Sequence, residues 1–244
     1  MKKSIFTAFL FVFTLVFTFS AATCFSQSGK SDNSKNSGGG GKSINSAEAL
    51  KEYLDSQPAN SPDKPIKVSM GANELMLPKI KDVLNSAGKY VSLNLTGNAL
   101  TTIQDDVFEK CQTLISITIP DSVTNIGKYA LSNCTNLTSV IIPNSVIRIG
   151  RGAFNECTNL ASVTIPNSVT KIEESALYGC KRLTNVAIPN SVTSIENAVF
   201  RECTNLTDIT IPNSIKYIGR LAFGECESLT SITIPNIKDF AFHA

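Results

Sequence analysis

The chain has 244 residues, of which 42% are hydrophobic and 17% are charged, a balance typical of folded proteins. Its formal net charge is only +2, so no continuous basic surface is expected and nucleic acid is excluded as a predicted partner. The single histidine, His243, argues against histidine-based catalysis and two-histidine metal sites. We therefore expect no enzyme activity and no cofactor.

Residues 1–22 have the pattern of a signal peptide. Lys2 and Lys3 precede an apolar run from Ile5 to Phe19, and small residues follow the run. The run is shorter than the ~20 residues that a membrane-spanning helix needs. The sequence therefore predicts export followed by cleavage, and the alternative is a retained membrane anchor.

Cys24 directly follows the predicted signal peptide. The stretch AATC at 21–24 resembles a bacterial lipoprotein signal, and this resemblance implies that Cys24 becomes the lipidated first residue of the mature protein. The alternative is cleavage after Ala22, which would leave Cys24 as a free thiol. Residues 23–44 lack apolar periodicity and contain four consecutive glycines, which predicts a flexible tether with a reach of about 25 Å.

Residues 45–106 differ from the regular repeats that follow, and they predict an N-terminal cap. Asn45 and Glu48 have the spacing of a helix capping box. Apolar periodicity then predicts a β-α-β unit with a strand at 66–70, a helix at 78–87 and a strand at 91–95. Terminal repeats of solenoids are normally atypical, so a cap is the simplest interpretation. A separate functional module at 45–90 is the alternative.

Residues 107–235 repeat with a period of 23. The repeat places prolines at 120, 143, 166, 189, 212 and 235 in one column, and a second column holds the leucines at 114, 137, 160, 183, 206 and 229. A third column holds a large apolar residue at 108, 131, 154, 177, 200 and 223. Aligned columns of this kind are typical of stacked repeat proteins.

One 23-residue unit cannot fold alone, because the few apolar side chains that it buries do not offset the entropy lost on ordering it. Within the unit at 137–159, Leu137, Val140 and Ile142 mark a short strand that Pro143 ends, and a tight helical turn is predicted at 153–157. Stacked units bury each open face and join their strands in a parallel ladder. Residues 236–244 depart from the pattern and predict a C-terminal cap.

The repeat L-x-x-[IV]-x-[IV]-P-x-x-[VI]-x-x-I-x-x-x-A-F-x-x-C resembles the leucine-rich repeats of BspA-like bacterial surface proteins. This resemblance implies a leucine-rich-repeat solenoid of α/β repeats with a parallel strand ladder on one side. It also implies an exported, often membrane-anchored protein used in adhesion to host components or other cells. The family pattern brings no catalytic residues.

A further column contains a cysteine in every unit, at positions 111, 134, 157, 180, 203 and 226. Three interpretations are open for these side chains. They can fill space between stacked coils as small buried groups, form disulfides between neighbouring coils, or bind zinc. Packing is favoured, because stacked side chains strain a disulfide and no C-x-x-C spacing is present.

Outward positions of the predicted strands form a candidate binding strip. Its members are small and nearly all uncharged: Ser116, Thr118, Ser139, Ile141, Ser162, Thr164, Asn185, Ala187, Asp208, Thr210, Ser231 and Thr233. Repeat proteins recognise partners on such extended faces, so we expect a protein or glycan ligand here. The alternative is that these residues suit a crowded ladder and bind nothing. The regular rows of Ser and Thr also resemble those of ice-binding solenoids, although Ile141, Asn185, Ala187 and Asp208 interrupt the rows.

The sequence thus predicts an exported cell-surface interaction protein that adheres through its strand face, with membrane attachment through a lipid on Cys24. The alternative function is a non-adhesive structural scaffold of the cell envelope or periplasm. Charged residues are predicted on the opposite side and in the turns. A basic cluster among them is a candidate contact for an anionic glycan, comprising Arg148, Arg151, Lys171, Lys181 and Arg182.

Overall fold

The computed structural model describes residues 44–234 and 239–240, which belong to a unit that spans residues 42–244. The predicted signal peptide at 1–22, Cys24 and nearly all of the predicted tether at 23–44 lie outside the described residues. Most of the predicted C-terminal cap at 236–244 also lies outside them. These assignments therefore stay predictions.

The N-terminal part contains two helices and two strands in the order α1 (Ala47–Asp55), β1 (Ile66–Gly71), α2 (Leu77–Ala87) and β2 (Val91–Thr96). Helix α1 begins after Ser46, whose Oγ accepts a hydrogen bond from the Ala49 N–H at 3.1 Å. The expected cap at Asn45 was wrong by one residue, because Ser46 has the extended backbone that an N-cap requires. Helix α2 ends at Gly88 in the left-handed conformation, as its sequence predicts.

The repeats form a leucine-rich-repeat solenoid with two short strands in most coils. Their bounds are β3 (Thr102–Ile103), β4 (Leu114–Thr118), β5 (Asn125–Ile126), β6 (Ser139–Ile141), β7 (Arg148–Ile149), β8 (Ser162–Val163), β9 (Lys171–Ile172), β10 (Asn185–Ala187), β11 (Ser194–Ile195), β12 (Asp208–Thr210), β13 (Tyr217–Ile218) and β14 (Asp239–Phe240). All pairings between these strands are parallel, and each pairing joins a strand to its equivalent in the next coil.

The strands build two ladders, where the sequence predicted one. The first ladder contains the sheets β1-β2-β4-β6-β8 and β10-β12, and the second contains β3-β5-β7-β9 and β11-β13-β14. The second ladder follows the Pro-Asn-Ser corner, where one buried residue per two-residue strand faces inward. Two residues are too few to show the alternating pattern that identifies a strand, so this ladder was not predicted.

The segment that follows the second ladder is a run of turns. A tight turn lies where the sequence predicts it, closed by the bond from the Cys157 N–H to the Phe154 carbonyl at 3.2 Å, but it does not extend into a helix. Two residues in each coil have positive φ, in columns four residues apart. One column is Asp106, Tyr129, Gly152, Ser175, Ala198 and Leu221, and the other is Lys110, Asn133, Glu156, Gly179, Glu202 and Glu225. The two left-handed residues of each coil, such as Gly152 and Glu156, prevent a right-handed helix from continuing between them. Their N–H groups donate to the next coil instead, as from Glu156 to the Tyr178 carbonyl at 2.7 Å.

The core is continuous through the stacked coils. Leu137, Leu160 and Leu183 have no exposed surface, and Phe154 is equally buried in the same core.

The six cysteines of the repeats are free thiols and are buried, as expected if they fill space between stacked coils. Those from Cys134 onward donate to a main-chain carbonyl of the preceding coil at 3.0–3.3 Å. Burial raises the pKa of Cys157 to about 12, so its thiol stays protonated at neutral pH.

A column of serines after the corner prolines connects neighbouring coils. Ser145 and Ser168 donate from Oγ to the Val123 and Val146 carbonyls of the preceding coil, at 2.6 and 2.7 Å. The same bond recurs at Ser122, Ser191 and Ser214. The serine of each Pro-Asn-Ser or Pro-Asp-Ser corner is therefore a coil-to-coil contact, which the sequence did not reveal.

Both ladders are interrupted between the same two coils. No pairing joins β8 to β10 or β9 to β11 among the described strands. The turn side remains bonded across this junction, for example from the Leu177 N–H to the Val199 carbonyl at 3.0 Å. Ser191 also donates to Val169 across it. The core and the turns, rather than the ladders, therefore hold this junction together.

Ser168→Ala should lower the free energy of unfolding by about 1 kcal/mol, because it removes the hydroxyl donor to the Val146 carbonyl. Urea unfolding followed by circular dichroism measures this change. Ser162→Ala, on the exposed strand face of the same coil, is the matched control and should stay within about 0.5 kcal/mol of the unchanged chain. Equal effects of the two substitutions would contradict the role given to the serine column.

Candidate functional site

The structure places the candidate strip on the outward face of the first ladder. Ser116 lies opposite Ser139, and Ser139 lies opposite Ser162, so these serines form one row across three strands. Thr118 lies opposite Ile141 in a second row. Ser116 and Thr118 are half-buried, whereas the other strip residues are exposed. Parallel pairing brings the members of each row to about 4.8 Å spacing.

The strip is not one unbroken array. The interruption of the first ladder separates Ser162 and Thr164 from the row that begins at Asn185 and Ala187. In the second part, Asn185 pairs with Asp208 and Ala187 pairs with Thr210. Ser231 and Thr233 are exposed but lie outside any strand. The most regular part of the strip therefore lies on the N-terminal side.

Sequence reasoning missed the N-terminal extension of these rows. Lys67 of β1 lies opposite Ser92 of β2, and Ser92 lies opposite Ser116. In the second row, Ser69 lies opposite Asn94, and the Asn94 Nδ2 donates to the Ser69 Oγ at 3.0 Å. The separations here are 25 residues from 67 to 92 and 24 from 92 to 116, so they do not match the 23-residue period. Lys67, Ser69, Ser92 and Asn94 occupy the outward positions of the two predicted alternating strands, and this alternation would have identified them as part of the face.

Apart from Lys67 and Asp208, the outward positions of the first ladder are neutral, and most of them are polar. Their hydroxyl and amide groups can donate and accept hydrogen bonds, whereas nucleophilic catalysis would need a neighbouring base. In the described parts of the chain, no group of three or more histidine, cysteine, aspartate or glutamate residues could hold a metal ion. The arrangement is therefore suited to recognition through hydrogen bonds and shape.

Charged residues concentrate on the second ladder and the turns. Glu173 Oε1 lies 2.8 Å from Arg148 Nη2 and 3.2 Å from Lys171 Nζ, and its Oε2 accepts from the Arg151 N–H at 3.0 Å. Arg151 also pairs with Glu174 at 3.2 Å. The basic cluster expected from the sequence is thus partly neutralised at Arg148, Arg151 and Lys171, while its other members, Lys181 and Arg182, are exposed. The carboxylates that neutralise Arg148 and Arg151 are 22 to 25 residues away in sequence, on the next coil, and stacking brings them into contact.

The comparison with protein families decides the classification. Six copies of the BspA type leucine rich repeat region match the chain, over residues 83–203 and 129–244. This match covers more than half of the chain. The chain belongs to this family. The resemblance found in the repeat pattern is therefore confirmed, as is the predicted solenoid.

Solved bacterial structures are similar to this chain. A leucine rich cell surface protein of Faecalibacterium prausnitzii is 35% identical with a TM-score of 0.50, and the match covers 55% of this chain and 43% of that protein. A leucine rich repeat protein of T. pallidum is 23% identical with a TM-score of 0.47, covering 71% of this chain and 87% of that protein. This chain thus spans less than half of the Faecalibacterium protein. No protein with a curated description matches this chain in sequence.

The two helices that the structure describes are 9 and 11 residues long, and neither can span a bilayer.

Glu173 makes stability depend on pH. Partial burial opposes ionisation, but hydrogen bonds from Lys171 and the Arg151 N–H and the charge of Arg148 outweigh it and hold the pKa of Glu173 below its ordinary value. A carboxyl whose pKa is lowered on folding stabilises the protein above the unfolded pKa, and this contribution is lost as pH falls through the folded pKa. Its loss therefore occurs on acidification below about pH 4.5, the region of ordinary carboxyl titration.

Glu173→Gln should remove about 1 kcal/mol of stability at pH 7 and have less effect at pH 3. Urea unfolding at the two pH values measures the difference. Glu196→Gln is the matched control, because Glu196 occupies the same column one coil later and accepts from the Ser194 hydroxyl at 2.8 Å. A Glu173→Gln effect that is the same at both pH values would show that the charge of Glu173 is not responsible.

Proposed function

We propose that this protein is exported to the cell surface and binds a protein or glycan partner through the outward face of the first strand ladder. Membership of the BspA-type family supports this function, because members resemble bacterial surface proteins. The similar Faecalibacterium protein is described as a cell surface protein. Adhesion to host components or to other cells is the biological role that we assign to this binding.

The observation that carries the proposal is the separation of chemistry between the two ladders. Apart from Lys67 and Asp208, the first ladder presents neutral residues in register, such as Ser139 beside Ser162. The second ladder and the turns carry the ion pairs of Glu173, Glu174 and Glu225. A face with so few charges can approach a partner at little cost of removing water from charged groups. Its regular hydroxyl spacing can match the repeated hydrogen-bonding groups of a strand or a glycan.

Attachment to the membrane completes the proposed role. Lipidation of Cys24 would place the anchor about 20 residues before helix α1 begins at Ala47. A flexible segment of this length reaches about 25 Å, enough to hold the repeats clear of a bilayer surface. The strand face would then remain open to a partner on the outside of the cell.

Glutamates placed on the strip should weaken adhesion strongly. We expect beads coated with the combined variant Ser116→Glu, Thr164→Glu and Thr210→Glu to bind epithelial cells, matrix proteins and immobilised glycans at least about tenfold less, because three charges must be desolvated at the interface. The control variant carries Thr124→Glu, Thr170→Glu and Thr193→Glu, the same change on the column beside the second ladder. Loss with the control alone, or with neither variant, would reject the strip as the binding face.

Cys24→Ser should abolish incorporation of a labelled fatty acid when the full chain is expressed in a bacterial host. The unchanged chain should be labelled and should sediment with membranes, because a thiol at this position is the acceptor in bacterial lipoproteins. Added protease should degrade the repeats on intact cells. Labelling of the Cys24→Ser variant would exclude Cys24 as the anchor, and complete protection from protease would favour the internal scaffold.

A further inference from the structure

Two neighbouring depressions lie on the N-terminal half of the strand face. One has a volume of about 420 Å³ and is lined by residues of β1, β2 and β4, including Ser69, Ser92 and Ser116. The other has a volume of about 600 Å³ and lies where β2, β4 and β6 end at the corner. Asn94 and Thr118 line both depressions. Because they share these two residues, we treat the two depressions as one surface, which we call the corner groove.

The two ends of the corner groove carry opposite charges. Lys67 lines the β1 end, and Asp121 lines the corner end. Asp121 departs from the repeat, because the four later corners at 143–145, 166–168, 189–191 and 212–214 read Pro-Asn-Ser whereas residues 120–122 read Pro-Asp-Ser. Neither Lys67 nor Asp121 has an ion-pair partner among the described residues. Their charges are therefore available to a partner.

An apolar surface lies beside Asp121. Ile141 is 60% exposed, although its column neighbours Thr118 and Thr164 are hydroxyl residues. Ile119, Pro120 and Pro143 also line this end of the groove. Exposing the Ile141 side chain to water costs free energy that a threonine would not cost. Contact with an aliphatic side chain of a partner would recover that free energy. Ile141 and Ala187 both break the hydroxyl column, but only Ile141 places a large apolar side chain there, and it lies beside the Pro-Asp-Ser corner.

These features favour a peptide over a glycan. None of the residues that line the two depressions is aromatic, so the groove has no ring on which a sugar could stack. From Lys67 to Asp121 the path crosses two ladder steps of about 4.8 Å and five residues of about 3.3 Å, a distance of roughly 20 Å. An extended peptide of about six residues covers this distance.

We propose that the corner groove binds an extended peptide segment of a partner protein, with an aliphatic side chain against Ile141, a basic side chain at Asp121 and an acidic side chain at Lys67. This inference rests on the proposed function of the strand face and specifies both the place and the chemistry of the partner. The separate C-terminal pair of strands β10 and β12 then contributes little to affinity.

The test uses a library of random twelve-residue peptides displayed on phage and selected on the purified chain. Enriched peptides should combine an aliphatic residue with a nearby Lys or Arg, and a synthetic copy is then titrated by fluorescence anisotropy. Asp121→Asn and Ile141→Thr restore the residues found at equivalent positions in other coils, so both should fold. Each should weaken binding by about five- to tenfold, and Asp121→Lys should abolish it. Asp208→Asn on β12 is the control and should leave binding unchanged.

The outcomes separate this inference from the proposed function. Peptide binding that falls with Thr164→Glu and Thr210→Glu but not with Asp121→Asn would keep the strand face and overturn the groove. Selective binding to a glycan array that Asp121→Asn removes would overturn the peptide as occupant. Failure to enrich any peptide family would also overturn the inference, while adhesion sensitive to the strip variant would still support the proposed function.

Discussion

Contact between successive coils is the constraint on which the whole structure depends. Many of the interior hydrogen bonds that recur along the chain join one coil to the next. The Cys157 thiol donates to the Leu131 carbonyl, and the Leu131 N–H donates to the Ala153 carbonyl. The serine of each corner does the same. A coil without a neighbour would leave these groups unsatisfied and its leucine column exposed, so only the stack is stable.

The same constraint explains where function can lie. Stacking restricts the residue type at every interior column, because a substitution there alters the packing against two neighbouring coils. Outward positions of the first ladder are free of this restriction, and small neutral residues in register occupy most of them. Apart from Lys67 and Asp208, charged residues lie elsewhere, several of them in ion pairs that link coils, such as Arg201 with Glu225 at 2.5 Å. The strand face is therefore the surface that the fold leaves available for recognition.

A regular repeat also makes exceptions informative. Asp121 and Ile141 replace residues that the other coils carry at equivalent positions, and stacking requires neither of them. The interruption of both ladders between β8 and β10 is another exception, and it leaves the N-terminal five-stranded sheet as the longest continuous surface. The two replacements lie on that sheet or at its edge. This coincidence is the reason why we propose the peptide site at that end of the strand face.

The 23-residue period, the buried columns and the outward side of the first ladder could be predicted from the sequence, because burial imposes a pattern that recurs in every coil. Residues such as Leu160 and Cys157 are recognised by position alone. The second ladder, the left-handed turns at residues such as Ala198, the N-cap at Ser46 and the continuation of the strip to Lys67 were not recognised. Backbone conformation at these points is set by hydrogen bonds to a neighbouring coil, and the register between coils of unequal length follows from packing. Only the tertiary structure brings those partners together, so only it decides which outward residues meet.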